Sequence, residues 1–561
     1  MSTKLLTHRG LAAVAAAGLL AAGLGACGSS GSSGASQKSS TLVMESSPEN
    51  SITDDFNPFV PTAAPQGMGA TGLIYEPLLQ FNLAAPPKYY PWLATSYKWG
   101  DSGKSVTFTI RQGVKFNDGT PMTPADVVFS YNLVKANTAV NLAGLKISSV
   151  SSSGNDVTIS FPSAQYTNLQ YIAGVPILPK AVWSKVGNPT TFTDPKPVGT
   201  GPYMLKTFTP QGFTLTKNNS YWQASKVRIQ NVQFPVYTSN TGALSALFSG
   251  QIDWTGNFIP GLQKDFVSKA PAFHHFWEAA GSTNALMPNL SKWPTNQLPV
   301  RKAISAAINR NLLASEGEAG LENPVTAASG LTLPTFKAWA GSAGSNTVSA
   351  TGSAPAAQQI LQQAGYTKNS AGFYTLGGKE VDVTLISPSA YTDYAAVGSM
   401  VAQELKAAGI NANFQGISVD AWNADMASGN FSLAEHWSNN GLTPFNLYDN
   451  WLDSSLNPGK SATGDYEGLK SPEMDAALAK LAGDSTVEQQ TADLAPIQAF
   501  VAANLPVIPV TTASEWFEYN SQRFVGWPTQ QNPYESGQPS GTNNGAGTGT
   551  DEVVILHLRP R

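Results

Sequence analysis

The residues best suited to catalysis are scarce and badly spaced for it. The chain has five histidines in 561 residues, His8, His274, His275, His436 and His557, and a single cysteine, Cys27. His274 and His275 are adjacent, so on a strand they point to opposite faces and do not converge on one ion. There is no H-E-x-x-H pair and no phosphate-cradling glycine loop. Gly199-Thr200-Gly201 lacks the third glycine of a dinucleotide fingerprint and reads as a turn. One cysteine excludes a disulfide framework and any zinc site with two thiolates. The expectation is therefore no metal, no cofactor and no enzyme. A hydrolase using His275, His436 or His557 stays open as an alternative, and it requires a Ser–His pair close in space.

Composition narrows the class further. Hydrophobic residues make up 42% of the chain, and only 12% of residues are charged, about half the usual share of roughly 25%. That is a core-forming composition and rules out charge-rich disorder. With 33 Lys+Arg against 37 Asp+Glu, the net charge of −4 gives no basic surplus for nucleic acid. The length suits roughly three to five units or two large lobes.

The N-terminus reads as an address. Lys4 and Arg9 precede an apolar run from Leu11 to Leu24. That run is shorter than the about 20 residues a spanning helix needs. Leu24-Gly25-Ala26-Cys27 resembles the bacterial lipobox. The expectation is that residues 1–26 are a signal peptide and that Cys27 is lipidated. Residues 27–40 would then be the lipidated cysteine and a flexible tether, holding the protein on the outer face of the cytoplasmic membrane.

The elements that must position any site alternate between strand and helix, which argues α/β. Val106 to Ile110 alternates as a half-buried strand, and Asn117-Asp118-Gly119 signals a turn. Thr123 should cap a helix that has Pro124 at its first position and Asp126 in its first turn. Helical spacing also runs over 300–313, over 355–364 ending at Gly365, over 397–408 ending at Gly409, and after Ser471-Pro472. Segment 537–550 reads as a Gly/Thr/Asn-rich loop. Val553 to Leu556 reads as a buried terminal strand returning to the first lobe.

Several segments carry a resemblance. Ile74-Tyr75-Glu76-Pro77-Leu78-Leu79, Pro91 to Tyr97, residues 106–131, Gly199 to Tyr203, Lys217 to Trp222, Ser249 to Asp253 and Val300 to Ile304 follow in order. They resemble the bacterial extracellular solute-binding protein family 5, the oligopeptide, dipeptide and nickel receptors of ABC importers. The resemblance implies an α/β, two-lobed type II periplasmic-binding-protein fold of cluster C type. Lobe I would be 41–281 with an inserted subdomain at about 84–195, lobe II would be 282–505, and 506–561 would return to lobe I. It also implies a monomer that holds its solute in the interlobe cleft and docks on membrane permease subunits.

The resemblance also points to a site. In peptide receptors of the family, an acid after a Trp-containing strand end pairs with the ligand's α-amine. Here the matching stretch is His436-Trp437-Ser438-Asn439-Asn440-Gly441. Amides replace the acid and forgo a charge-assisted bond worth about 1.5–3 kcal/mol. An oligopeptide-type solute is the family's default. A cellobiose-like β-oligosaccharide, stacked on Trp254, Trp437 or Trp516 and bonded by Asn439 or Asn440, is the alternative. Asn57, Phe59, Tyr75 and Asn257 complete the expected ligand contacts. A lipid-anchored hydrolase or an adhesive surface lipoprotein is the distant alternative.

Overall fold

A computed structural model describes residues 41–46, 48, 51–84, 88–333, 335–342, 346–539 and 550–561. The signal peptide, Cys27, the tether and most of the 537–550 loop lie outside the described residues. Ser39–Arg561 forms one compact unit.

Two sheets organise that unit. The first has seven strands, in the order 274–276, 518–520, 254–255, 41–45, 231–235, 212–217 and 203–209. Thr41–Glu45 runs parallel to both of its neighbours, Asn231–Pro235 and Trp254–Thr255. The second has five strands, in the order 411–417, 382–388, 433–437, 279–288 and 508–515. Its two faces bury separate cores. Leu286, Leu433 and Ile508 face one, and Ala285, Ala434 and Val507 face the other. This is the period-two alternation of a strand that is covered on both sides.

The chain passes between the sheets twice, through Trp277-Glu278 and through Trp516-Phe517. The two crossings touch, since the Trp277 amide donates to the Phe517 carbonyl at 3.1 Å. Strand Ile508–Glu515 belongs to the second sheet, so the return to the first falls after Glu515 and not at residue 506.

A four-stranded antiparallel sheet, Ala94–Gly100, Ser105–Ile110, Asp156–Ser160 and Ser149–Ser153, extends the first lobe. Helix Pro124–Ala136 packs on it and starts as the sequence predicts, with Thr123 and Asp126 forming a capping box. Ser471 likewise caps Pro472–Leu481. The expected helix over 300–313 is shorter. It runs from Leu298 to Ala307 and breaks at Ile308, whose ψ of 132° is extended.

The terminal apolar run is a correction. Val553 to Leu556 is buried, but within helix Thr550–His557 and not in a strand. A short apolar run cannot be told from a buried helical segment by periodicity. Asp551 and Glu552 in the first turn favour the helix. The helix packs on Thr71–Ile74 and Leu79–Phe81, within the first lobe. Its Glu552 accepts hydrogen bonds from Gln80 (2.8 Å) and the Tyr221 hydroxyl (3.0 Å). Glu76 accepts from Trp222 Nε1 (2.9 Å), and its carboxyl also lies 3.0 Å from the Tyr221 hydroxyl, whose one hydrogen the two acids share.

Candidate functional site

A cavity of about 350 Å³ opens where the two sheets and the crossings meet. That is the small end of the range of about 300–1,000 Å³ usual for ligand pockets. The first lobe contributes the segment after strand Trp254–Thr255, with Gly256, Asn257 and Phe258. The second contributes Asn284, the start of helix Thr392–Ala407, and the loop after strand Leu433–Trp437. Glu515, at the end of strand Ile508–Glu515, and Trp516, in the second crossing, complete the lining.

Aromatic faces form much of the wall. Trp437 is half-buried, with its ring centroid 4.4 Å from that of His436, 5.7 Å from Trp422 and 6.2 Å from Tyr394. Trp516 meets Phe258 edge-on at 5.6 Å. Such surfaces suit the apolar faces of a guest.

The amides are held in fixed orientations. Asn257 Nδ2 donates to Thr255 Oγ1 (2.6 Å) and to the Glu45 carboxyl, and its backbone amide donates to Glu518 (3.2 Å). Both side-chain hydrogens are thereby used, which leaves its carbonyl oxygen for a guest. Asn440 Nδ2 donates to Glu515 (2.8 Å), and Asn284 Nδ2 to Glu322 (2.9 Å). Asn284 Oδ1 accepts the Tyr394 hydroxyl at 2.9 Å. Asn439 reaches across the lobes instead, donating to the Tyr171 hydroxyl at 3.1 Å. Beside it, the Leu442 amide donates to Gln170 Oε1 at 3.1 Å.

Three carboxyl groups line the cavity, and burial raises the pKa of each. Glu322 is pushed up to about 8 despite hydrogen bonds from Thr511, Ser514 and Asn284. Glu515 is pushed up to about 7, held back by Asn440, and Asp393 up to about 6. Glu45, behind Asn257, is pushed up to about 7. No Lys, Arg or His lines the cavity among the described residues.

Of the expected contacts, Asn257, Trp437, Asn439, Asn440 and Trp516 come together at this cavity. Asn57, Phe59, Tyr75 and Trp254 do not line it, because their polar and apolar capacity is consumed inside the first lobe. Asn57 Nδ2 donates to the carbonyls of Pro189 and Phe192, both at 2.7 Å. Phe59 packs edge-on against Trp183 at 6.0 Å. The Tyr75 hydroxyl donates to Asp194 at 2.5 Å, and Trp254 Nε1 donates to the Gly537 carbonyl at 2.7 Å. Sequence reasoning missed Glu322, Asp393, Glu515, Asn284, Tyr394 and Phe258. Asp393 carries only the look of an acid in a helix's first turn, and no local motif marks the others.

One Ser–His pair does exist. His275 Nε2 lies 3.0 Å from Ser521 Oγ. Ser521 is buried, however, and among the described residues no carboxylate is hydrogen-bonded to the ring; a backbone bond involving Ala272 serves there. Neither residue lines the interlobe cavity. The pair lacks the oriented base and the substrate space that nucleophilic catalysis needs.

Comparison with known proteins gives a family. The model for bacterial extracellular solute-binding proteins, family 5, matches residues 88–458. A nickel-binding periplasmic protein of Escherichia coli (strain K12) is 31% identical over 262 residues, 44% of this chain and 49% of that protein. A glutathione-binding protein of Salmonella typhi is 28% identical over 256 residues, again 44% and 49%. The chain thus spans about half the length of these curated relatives. Among solved structures, a mannohexaose-bound periplasmic oligopeptide-binding protein of an ABC transporter from Thermotoga maritima superposes with a TM-score of 0.84 at 22% identity. The match covers 94% of this chain and 99% of that one. The oligopeptide-binding protein AppA of Bacillus subtilis, in complex with a nonapeptide, gives 0.77 at 20% identity, over 94% and 99%. At these identities the likeness is one of fold.

Proposed function

The chain belongs to family 5 of the bacterial extracellular solute-binding proteins, and on that premise we propose that it is the extracytoplasmic receptor of an ABC importer. It captures an oligopeptide-type solute between its lobes and presents the closed form to a membrane permease. The observation that carries this reading is the cavity itself. Aromatic faces and fixed amides from both lobes, with three carboxyls from the second, converge on about 350 Å³ at the point where the chain crosses twice. A guest touching both lobes favours closure by the difference in its affinity for the two states. Lipidation of Cys27, which lies outside the described residues, would keep the receptor beside its permease.

A β-oligosaccharide is the second reading. It is favoured by the Trp437 and Trp516 faces and by the lack of any lining cation, among the described residues, to take a peptide's α-carboxylate. The mannohexaose bound to the Thermotoga maritima protein supports this reading. Titration calorimetry with di- to pentapeptides and with cello-oligosaccharides tests the proposal. A saturating solute at 100 times its Kd should raise stability by about 2.7 kcal/mol. Turnover of any solute by the purified protein would overturn it.

A further inference from the structure

The lobes meet at the cavity and also at a seam beside it, between the inserted subdomain and the second lobe. Along the seam the Thr167 amide donates to the Ala482 carbonyl at 3.3 Å, and the Leu442 amide donates to Gln170 Oε1 at 3.1 Å. A Cβ on Gly483 would stand 3.4 Å from that of Ala164, and one on Gly144 would stand 3.2 Å from Leu456 Cδ2, so the two surfaces touch. Lys146 places a cation within reach of Asp449 across a space of about 70 Å³ that both residues line. Leu442 is carried by the second lobe but is buried in the apolar core of the first. None of these residues lines the solute cavity. The Asn439–Tyr171 bond continues the seam to the cavity's edge.

These contacts join the two lobes without passing through either chain crossing, so opening the lobes breaks them and returns Leu442 to water. They touch no solute. A guest that closes the lobes therefore gains the seam as well as its own contacts, and gains it equally whatever its chemistry. We infer that the inserted subdomain is a latch. It grips the second lobe on closure and multiplies the affinity for every solute by one common factor, while the cavity alone ranks one solute against another. The inference rests on the receptor reading and adds a division of labour to it: selection at the cavity, holding at the seam.

The experiment uses the full chain. The two tightest binders among di- to pentapeptides and cello-oligosaccharides are titrated into the wild type and into Leu442→Ala. The variant should raise both Kd values by the same factor, about tenfold or more, and so keep their ratio. Unchanged Kd values, or a ratio altered by more than about threefold, overturn the inference and leave the receptor reading intact. Should Leu442→Ala fail to fold, the double variant Ala164→Cys with Gly483→Cys decides. Its Cβ atoms stand at about the separation a disulfide spans. Under oxidised glutathione the bond, mapped by mass spectrometry, should form faster with solute present. Once formed it should slow solute release about tenfold or more until it is reduced. Equal rates of bond formation with and without solute would make the seam a permanent fastening and overturn the latch. A wild type that binds no member of either series overturns the receptor reading itself, and the latch with it.

Discussion

Two of the buried groups of carboxyls among the described residues are treated very differently. In the first lobe, Glu76 and Glu552 are both fully buried, yet Tyr221, Trp222 and Gln80 all donate to them. The two carboxyls also act on each other, and burial raises the pKa of both. Arg111, stacked over Trp222 at 4.1 Å, places a cation within reach of Glu76. At the cleft, Glu322 and Asp393 line the cavity with Glu318 and Glu435 behind them, all buried; Glu322 takes hydrogen bonds from Thr511, Ser514 and Asn284, neither oxygen of Glu318 has a partner, and among the described residues no cation acts on the group. Burial alone therefore does not mark a functional acid. Position separates the two groups: the first ties strands and a helix together away from the cavity, and Glu322 and Asp393 of the second line it.

The largest expected effect tests that contrast directly. Glu552→Ala strips partners from Tyr221 and Gln80 and should cost about 3 kcal/mol, read as a lower urea midpoint. Glu318→Gln replaces a buried carboxyl that has no hydrogen bonds to lose, and should change stability by less than about 1 kcal/mol in either direction. Equal losses from the two would erase the distinction.

Next comes pH. Glu322 rises from its ordinary 4.5 to about 8 and Asp393 from 3.8 to about 6, through burial first. The folded state then holds protons that the unfolded state has released, so this contribution is complete below about pH 4 and is lost as pH rises through 6 and 8. The slope is at most about 1.4 kcal/mol per pH unit for each proton released. Glu318, Asp393 and Glu435 face Glu322 across the group, with Tyr394, Asn284 and Ser514 as its polar neighbours. The solute-free protein should melt higher at pH 5.5 than at pH 8, and Glu322→Gln should flatten that difference. An unchanged slope in the variant would mean that the pH dependence arises elsewhere, for instance at Glu76–Glu552.

The same contrast explains what the sequence could and could not show. Strand Ser105–Ile110 and the cap at Thr123 were legible because they rest on local rules of alternation and capping. So was the stretch around Trp437, by resemblance. Asn57 and Asn257 both spend their side-chain hydrogens inside the protein, yet Asn57 Oδ1 accepts the Phe59 amide while Asn257 lines the cavity. Which of the two reaches the cavity is set by the tertiary placement of its segment, which no local pattern encodes. The cleft acids were missed for a related reason: Glu322, Asp393 and Glu515 come from a loop, a helix start and a strand end that only the folded sheet brings together. The terminal helix at Val553 was missed because its pattern fits either element.

A smaller effect is expected at the aromatic wall. Trp437 is half-buried at the cavity and stacks on His436 and Trp422, which remain when it is truncated. Trp437→Ala should weaken solute binding by about 1–2 kcal/mol and leave a cooperative thermal transition. Unchanged affinity in a calorimetric titration would remove its ring from the site.

The smallest effect concerns Asn439, which lies at the cleft but belongs with the side chains already committed to the protein. Its Nδ2 donates to Tyr171 of the first lobe at 3.1 Å, beside the Leu442–Gln170 bond. Burial and the charge of Asp449 push the Tyr171 hydroxyl far above neutrality, so it stays protonated and can accept this bond at any working pH. Tyr171→Phe keeps the ring and deletes one interlobe hydrogen bond, a loss of about 1 kcal/mol. Because the bond exists only with the lobes together, the loss falls on the closed state and should weaken apparent affinity about fivefold, with Tm little changed. If affinity instead rises, the freed Asn439 amide is donating to the solute, and the residue moves from the committed group to the one that serves the guest.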